Sequence, residues 1–399
     1  MKNKIVGRFI FAFLIMTSAL STAQEDEMDI PSPAEVALPN FAPKGIFAIV
    51  PWGKVPKEST WKDPCIEGVT IRRYWRDLNK KQKYQWADLD SVFALANRFD
   101  KKIHLMIAPG FYSPQWVLQQ VKTDSFIVPQ GPDKGEMKPL PRPWLQKYLD
   151  FWFEFVDTLA KRYASNPALS LVAVTGPNSH NGEVNLPSDK SDRDILKEEK
   201  YNGYDPVQKW KDIVGGGPDA EKELKERMVE AYEKTIDCFH KAFAGKHQKY
   251  FSLQIFEDSL PVDDRDIHDN YENKLIRYAR GKTGNYFVLM NGGLRGWPIY
   301  PDQVNPPPVH GQWVRIQRLS AEGLVAGFQT QHPSNLFPVA GTRDTPLGRR
   351  IFRQVIKNSI IFGASFLELY DDDIHHKNLE DLIAAGSILL RGKCKCEQH

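Results

Sequence analysis

Short apolar segments rich in β-branched and aromatic residues recur along the whole chain, and helical patterns separate most of them. Eight such segments are present, at Gly45–Pro51, Val69–Trp75, Ile103–Pro109, Leu169–Thr175, Tyr250–Phe256, Tyr286–Asn291, Leu324–Thr330 and Ser365–Tyr370. Near-continuous apolar strands of this kind are typical of a parallel sheet whose two faces are covered by helices. The pattern therefore predicts an α/β architecture.

The segments between these strands carry apolar residues at helical spacing. In one of them, Leu145, Leu149 and Trp152 fall on the same helical face. Helices are predicted at Trp86–Arg98, Trp144–Tyr163, Glu221–Ala244, Asn270–Arg280, Val314–Ala321, Gly348–Phe362 and Leu379–Leu390. Strands and helices alternating over this length predict a single-domain (β/α)₈ TIM barrel. A doubly wound open sheet competes with it, but no Gly-rich phosphate loop follows any strand.

The N-terminus has the layout of a secretory signal peptide. Lys2, Lys4 and Arg8 precede the apolar run Phe9–Leu20, and small residues up to Ala23 follow it. The run is shorter than the roughly 20 residues of a membrane span, so cleavage after Ala23 is expected, with no transmembrane segment left. This predicts a secreted or periplasmic protein.

The remaining chain divides by composition. We expect a signal peptide at 1–23, a flexible lead-in at 24–43, the barrel at 44–391 with a loop insertion at about 188–219, and a tail at 392–399. The leader is basic, so its removal lowers the formal net charge from +3 to zero. Composition therefore gives no support to a nucleic-acid partner.

Four cysteines do not make a disulfide scaffold in a chain of this size, and pairing of Cys65 with Cys238 stays open.

Polar and aromatic residues collect at the carboxyl ends of the predicted strands, where TIM barrels place their active sites. Aromatic faces stack on sugar rings, while amides, imidazoles and guanidinium groups bond to hydroxyls. The predicted substrate-binding residues are Trp52, Arg72, Arg73, Trp75, Trp116, Asn178, His180, Asn291, Trp297, Gln329, Gln331 and Tyr370. Arg72 and Arg73 cannot both point inward, because adjacent strand residues face opposite ways. The expected partner is a carbohydrate.

Three carboxylates at strand ends are candidates for catalysis: Glu183, Glu257 and Glu368. Hydrolysis of a glycosidic bond takes two carboxyl groups, one of which protonates the leaving oxygen. Apolar neighbours of Glu368 predict partial burial, which raises a carboxyl pKa, and Glu368 is favoured over Glu257 as the second carboxylate. No cofactor motif is present, and Asp371–Asp373 is interpreted as a solvated turn rather than a Ca²⁺ site, so no metal is predicted.

The segment Gly68–Trp116 resembles the second-to-third-strand region of clan A glycoside hydrolases of the β-galactosidase and cellulase type. The resemblance implies a TIM barrel with an acid/base Glu at the end of strand four and a nucleophilic Glu at the end of strand seven. Glu183 matches the first position, although Gly182 precedes it where the clan has an asparagine. Gln329 and Gln331 stand at strand seven, and an amide cannot act as that nucleophile. Retention or inversion therefore stays open.

Three functions follow as hypotheses. The first is an exported glycoside hydrolase with Glu183 as general acid. The second is a TIM barrel that binds carbohydrate without cleaving it, which the glutamines at strand seven suggest. A carbohydrate esterase or lyase is the weakest, because no Ser-His-Asp order is evident.

Overall fold

In the computed structural model, eight parallel strands form a closed barrel within the described residues, which are 42–189, 192–255, 260–261, 270–296, 312–337 and 341–391. The barrel strands are β1 (Gly45–Ile49), β2 (Ile66–Tyr74), β3 (Lys102–Ala108), β4 (Leu169–Ala173), β5 (Tyr250–Ile255), β6 (Phe287–Leu294), β7 (Ala326–Thr330) and β8 (Phe366–Tyr370). Each strand pairs with its neighbours in sequence, and β8 pairs with β1 to close the ring. The predicted TIM barrel is confirmed, and the open sheet is wrong because no barrel strand among these is left at an edge.

A helix follows each barrel strand. These are α1 (Glu58–Lys62), α2 (Ala87–Arg98), α3 (Gln146–Tyr163), α4 (Ala220–Phe243), α5 (Tyr271–Thr283), α6 (Gln312–Ala321), α7 (Pro346–Ile361) and α8 (Glu380–Arg391). Their apolar faces pack on the outward side chains of the strands; Trp152 of α3, for example, is fully buried beside Trp75. The helical spacing in the sequence marks these contact faces.

Shorter elements lie in the segments that follow the barrel strands. They are the hairpin Asn79–Lys80/Lys83–Tyr84, the hairpin Thr123–Ile127/Met137–Pro141, the strand Glu183–Val184, and helices at Trp75–Leu78, Gln115–Leu118, Arg193–Leu196, Pro206–Ile213, Pro333–Leu336 and Asp371–Ile374. The segment predicted as a loop insertion contains two of these helices. The side chain of Asp205 caps the second by accepting a bond from the Gln208 amide, and buried Trp210 stacks on Phe126.

The barrel lumen is apolar at its amino end and polar halfway up. Phe47, Leu171, Tyr250 and Phe366 pack together at the bottom. Glycine is required beside two of these rings: a Cβ at Gly68 or Gly327 would overlap Phe47 or Phe366. Every second residue of a strand faces the lumen, so the next layer up carries Thr70, His104, Ser252 and Glu368.

Several sequence predictions lie outside the described residues: the signal peptide, most of the lead-in, Glu257, Trp297 and the C-terminal tail. None of the helices in the described part of the chain combines the length and the hydropathy that a membrane crossing requires. Within the same part, no disulfide joins Cys65 to Cys238.

Candidate active site

Glu183 lies at the carboxyl end of the barrel between β4 and β5. The two-residue strand Glu183–Val184 pairs in parallel with the end of β5, which puts Glu183 beside Gln254. The loop before it is held by Asn178, whose Oδ1 accepts a bond of 3.1 Å from the Gly176 amide and whose Nδ2 donates to the Glu183 carbonyl oxygen. Asn178 therefore shapes the backbone that presents this carboxyl group.

Two amide side chains fix the Glu183 carboxyl group. Oε2 accepts from Asn181 Nδ2 at 2.9 Å and from Asn185 Nδ2 at 3.4 Å. The Glu183 amide in turn donates to Asn181 Oδ1 at 2.9 Å. Burial raises the pKa of Glu183, and the Asn181 bond and the charge of Arg72 oppose this rise only in part. A raised pKa favours the protonated carboxyl group that a general acid needs near neutral pH.

Arg72 points into the barrel mouth, which is the opening at the carboxyl ends of the barrel strands, whereas Arg73 points to the outer face of the barrel. The Arg72 Nε and Nη2 atoms donate to the Val50 carbonyl oxygen at 2.9 and 2.6 Å, and its guanidinium lies 5.2 Å from the Trp52 ring centre. Arg73 instead pairs with Asp88 of α2, with Nε 2.5 Å from Oδ2. Because side chains alternate along β2, Arg72 faces the barrel mouth and Arg73 contacts α2 on the outside.

Gln329 of β7, His332 just after β7, and Tyr370 of β8 close the other side of the mouth. Gln329 Nε2 donates to the Tyr370 hydroxyl at 3.4 Å, and the His332 ring stands edge-on to Tyr370 with 5.0 Å between centroids. Burial raises the pKa of the Tyr370 phenol and, with the charge of Arg72, lowers that of His332. Both are therefore neutral at pH 7 and suited to hydrogen bonding with hydroxyl groups.

An aromatic wall joins Trp52 to Tyr74 and Tyr112. Trp52 and Tyr74 are stacked with centroids 5.1 Å apart, and Tyr74 lies 4.0 Å from Tyr112. Arg76 covers this wall, with its guanidinium 4.8 Å from the Tyr112 ring centre. Tyr74 and Tyr112 are not among the substrate-binding residues predicted from the sequence. Tyr74 alternates with Arg72 on β2, and that alternation is the signal that could have found it.

Glu368 lies inside the lumen, one layer below Tyr370, and is fully buried. Its Oε1 accepts from Thr70 Oγ1 at 2.5 Å and is 2.6 Å from His104 Nδ1, while His104 Nε2 is 2.9 Å from Ser252 Oγ. Oε2 has no hydrogen-bond partner among the described residues. The carboxyl group predicted at the rim is therefore the centre of a buried polar network. Thr70, His104 and Ser252 were not predicted as site residues.

The other predicted binding residues occupy different surroundings. Trp75 is fully buried behind the barrel, and Asn291 Oδ1 accepts a bond of 3.2 Å from Trp313 of α6. His180 is buried beside Ser179, and this burial lowers the pKa of its imidazole to about 4. The Gln331 side chain is half-buried, and the Gln331 backbone N–H donates to the Leu294 carbonyl oxygen. None of these four side chains has a described contact with the side chains of Glu183 or Arg72.

The three consecutive aspartates after β8 are engaged by other side chains. Asp371 accepts from Thr60, Asp372 pairs with Lys57 at 3.0 Å, and Asp373 accepts from Arg343 at 2.9 Å. Across the described ranges, no group of three or more His, Cys, Asp or Glu residues is arranged to hold a metal ion.

Comparison with known proteins identifies the fold. No family model and no curated protein matches the chain. Among solved structures, the β-amylase catalytic domain from Paenibacillus polymyxa is 12% identical, with a TM-score of 0.54 over 84% of this chain and 94% of that one. β-Galactosidases from Marinomonas ef1 (14% identity, TM-score 0.52, 86% of this chain) and Rahnella sp. R3 (12%, 0.52, 88%) are also similar. The chain spans only 59% and 57% of their lengths. At these identities the likeness shows a shared fold.

Proposed function

We propose that this chain is an exported glycoside hydrolase whose active site is the barrel mouth and whose general acid is Glu183. The observation that carries the proposal is the setting of Glu183. Its carboxyl group stands at the carboxyl end of the barrel, held by Asn181 and Asn185, in surroundings that favour its protonated form. β-Amylase and β-galactosidase, whose names describe glycan hydrolysis, share this fold.

The side chains around Glu183 suit a sugar. The Trp52 ring is only partly buried, so it offers an apolar surface for stacking. Arg72, Gln329 and Tyr370 supply donors and acceptors for hydroxyl groups. Burial of these polar groups makes their bonds to a ligand stronger than the same bonds in water.

We assign the second carboxyl role to Glu368. Its unpartnered Oε2 and its position one layer below Tyr370 support this, and Tyr370 interacts electrostatically with both Glu183 and Glu368. Because Glu368 is fully buried, it is too deep for direct attack on a sugar carbon, and in this assignment it activates a water molecule that enters from the mouth and reaches Oε2. We therefore expect inversion, which takes two carboxyl groups about 6.5–9.5 Å apart. Proton NMR of the first product anomer tests this, and a retained anomer would favour the rival, Glu257.

A hydrolysis screen with matched variants tests the proposal. Wild type, Glu183→Gln and Glu154→Gln are assayed on a panel of polysaccharides and 4-nitrophenyl glycosides. Glu154 is an exposed residue of α3 and serves as the control. We expect turnover by wild type and Glu154→Gln, with kcat/KM of Glu183→Gln on natural glycans lower by about 10²–10⁴. Glycan binding without turnover by any of the three would instead support the carbohydrate-binding alternative.

Export is tested separately. Expression with the natural N-terminus, followed by N-terminal sequencing of the protein outside the cytoplasm, should give a chain that begins at Gln24. A chain that stays in the cytoplasm with Met1 intact would contradict the predicted leader.

A further inference from the structure

A side cavity of about 700 Å³ lies next to the barrel mouth. Its lining comes from the segments that follow β2 and β3, which places it at the same end of the barrel as Glu183. The lining residues that matter here are Arg76, Lys80, Lys81, Trp116 and Lys138. The volume is within the range of roughly 300–1,000 Å³ typical of small-molecule sites.

The lining of the side cavity is strongly cationic. It contains four basic residues and one acidic residue, Asp77. Asp133 neutralises part of this charge, with Lys138 Nζ at 2.7 Å and Arg76 Nη1 at 3.3 Å. Lys80 and Lys81 are exposed, and no acidic residue of the described chain pairs with either. Two ammonium groups are therefore available to an anionic ligand.

The turn that carries these lysines is conformationally disfavoured. Lys81 and Gln82 form the two-residue connection of the hairpin Asn79–Lys80/Lys83–Tyr84, with φ values of 50° and 62°. Positive φ at both central residues is the pattern of a type I′ turn, in which Asn-Gly is strongly preferred. A lysine at a position that Asn or Gly would occupy without strain suggests that its ammonium group has a use.

Trp116 supplies the apolar part of the side cavity. Its Nε1 donates to the Asn79 carbonyl oxygen at 3.3 Å, which ties the indole to the same hairpin. The ring is partly exposed and lines the cavity. An aromatic face next to free ammonium groups matches a sugar ring that bears a carboxylate or a sulfate, because the ring stacks while the anion pairs with the cations.

The side cavity adjoins the mouth through Arg76. The Arg76 guanidinium packs against Tyr112 and Tyr74, and Tyr74 stacks on Trp52, which lies against Arg72. One layer of aromatic and guanidinium groups thus runs from the mouth to the side cavity. Tyr74 and Tyr112 are buried within this layer, which fixes the side cavity beside the mouth at the same end of the barrel.

We infer that the side cavity is a subsite for anionic sugar units, so that the substrate of the mouth is an acidic oligosaccharide bearing carboxylate or sulfate groups. This inference rests on the proposed function, because it takes the mouth to be a carbohydrate site. The unpaired Lys80 and Lys81 provide selectivity, and Trp116 provides the stacking surface.

Calorimetric titration of the full chain tests the inference, in the wild type and in a Glu183→Gln background that slows cleavage. The probes are pentagalacturonate for carboxylates, a sulfated galactan oligosaccharide for sulfates, and neutral β-1,4-galactopentaose. The test variant is Lys80→Gln with Lys81→Asn, which keeps the turn favourable. The control variant is Lys241→Gln with Lys246→Gln, two exposed lysines in the last turn of α4 and in the turn just after it, at the opposite end of the barrel.

We expect at least one anionic probe to bind more tightly than the neutral one. The Lys80/Lys81 variant should lose about three- to tenfold of that affinity, with the control and the neutral probe unchanged. Raising the salt concentration should weaken only the anionic probe. Equal affinity for anionic and neutral probes, unchanged affinity in the Lys80/Lys81 variant, or no binding of any probe would overturn the inference. Hydrolysis of neutral glycans alone would leave the proposed function standing and the subsite refuted. Binding of an anionic probe without hydrolysis of any glycan would support the subsite and refute the proposed function.

Discussion

Replacing His104 with leucine removes two hydrogen bonds from the centre of the barrel. His104 Nδ1 lies 2.6 Å from Glu368 Oε1, and Nε2 lies 2.9 Å from Ser252 Oγ. A bond to a charged group contributes about 1.5–3 kcal/mol and a neutral one about 1 kcal/mol. The expected loss in the free energy of unfolding is therefore about 2.5–4 kcal/mol.

Urea unfolding measures this loss, and two further variants identify its source. Ser252→Ala should cost about 1–2 kcal/mol, because only neutral bonds, to His104 and to the Val172 carbonyl oxygen, are lost. The double variant His104→Leu with Glu368→Leu should be more stable than His104→Leu alone by about 1–3 kcal/mol, because no unpaired carboxyl group is left buried. A loss below about 1 kcal/mol for His104→Leu, or a double variant no more stable than the single one, would refute this account of the lumen.

Three further predictions concern the barrel mouth and the hairpin Asn79–Lys80/Lys83–Tyr84. Burial raises the pKa of Glu183 in the folded state above its pKa in the unfolded state. The free energy of unfolding should therefore fall as pH rises from the unfolded-state pKa through the folded-state pKa. Glu183→Gln should therefore be more stable than wild type at pH 8 but not at pH 3, as measured by urea unfolding; a reversed difference would contradict the burial. Gly110 has a φ of 65° and a Cβ there would overlap the Asn178 carbonyl oxygen, so Gly110→Ala should cost about 2–4 kcal/mol in thermal or urea unfolding. Lys81→Asn with Gln82→Gly should raise stability by about 1 kcal/mol in the same assay, and a decrease would contradict the type I′ turn.

The barrel could be predicted from sequence because its strands are buried on both faces. For the strand Leu169–Ala173, for example, the sequence predicts 169–175, since a parallel strand covered on both sides needs apolar residues at nearly every position. The hairpin Thr123–Ile127/Met137–Pro141 was missed, because Pro and Gly in this stretch are typical of loops. It packs against the β4–α4 segment, where the Tyr204 hydroxyl bonds to the Ile127 amide, and local sequence does not record that contact.

The site could be predicted only in part. Alternation showed that one of Arg72 and Arg73 faces inward, but the choice depends on Asp88 of α2 and the Val50 carbonyl group, which are tertiary contacts. Glu368 was placed at the strand end, whereas it lies in the lumen with His104, a partner 264 positions away in sequence. Periodicity gives the face of a strand but not its register against its two neighbouring strands, so sequence alone leaves the depth of a residue in the barrel undetermined.

The most direct test of Glu183 as a general acid is the dependence of kcat/KM on the leaving group. Glycosides of the sugar that wild type cleaves best are prepared with 2,4-dinitrophenol, which departs without a proton, and with an alcohol, which needs one. We predict that Glu183→Gln lowers kcat/KM for the alkyl glycoside by about 10²–10⁴ and for the dinitrophenyl glycoside by less than about tenfold. Equal losses on both substrates, or no loss on either, would contradict the assignment.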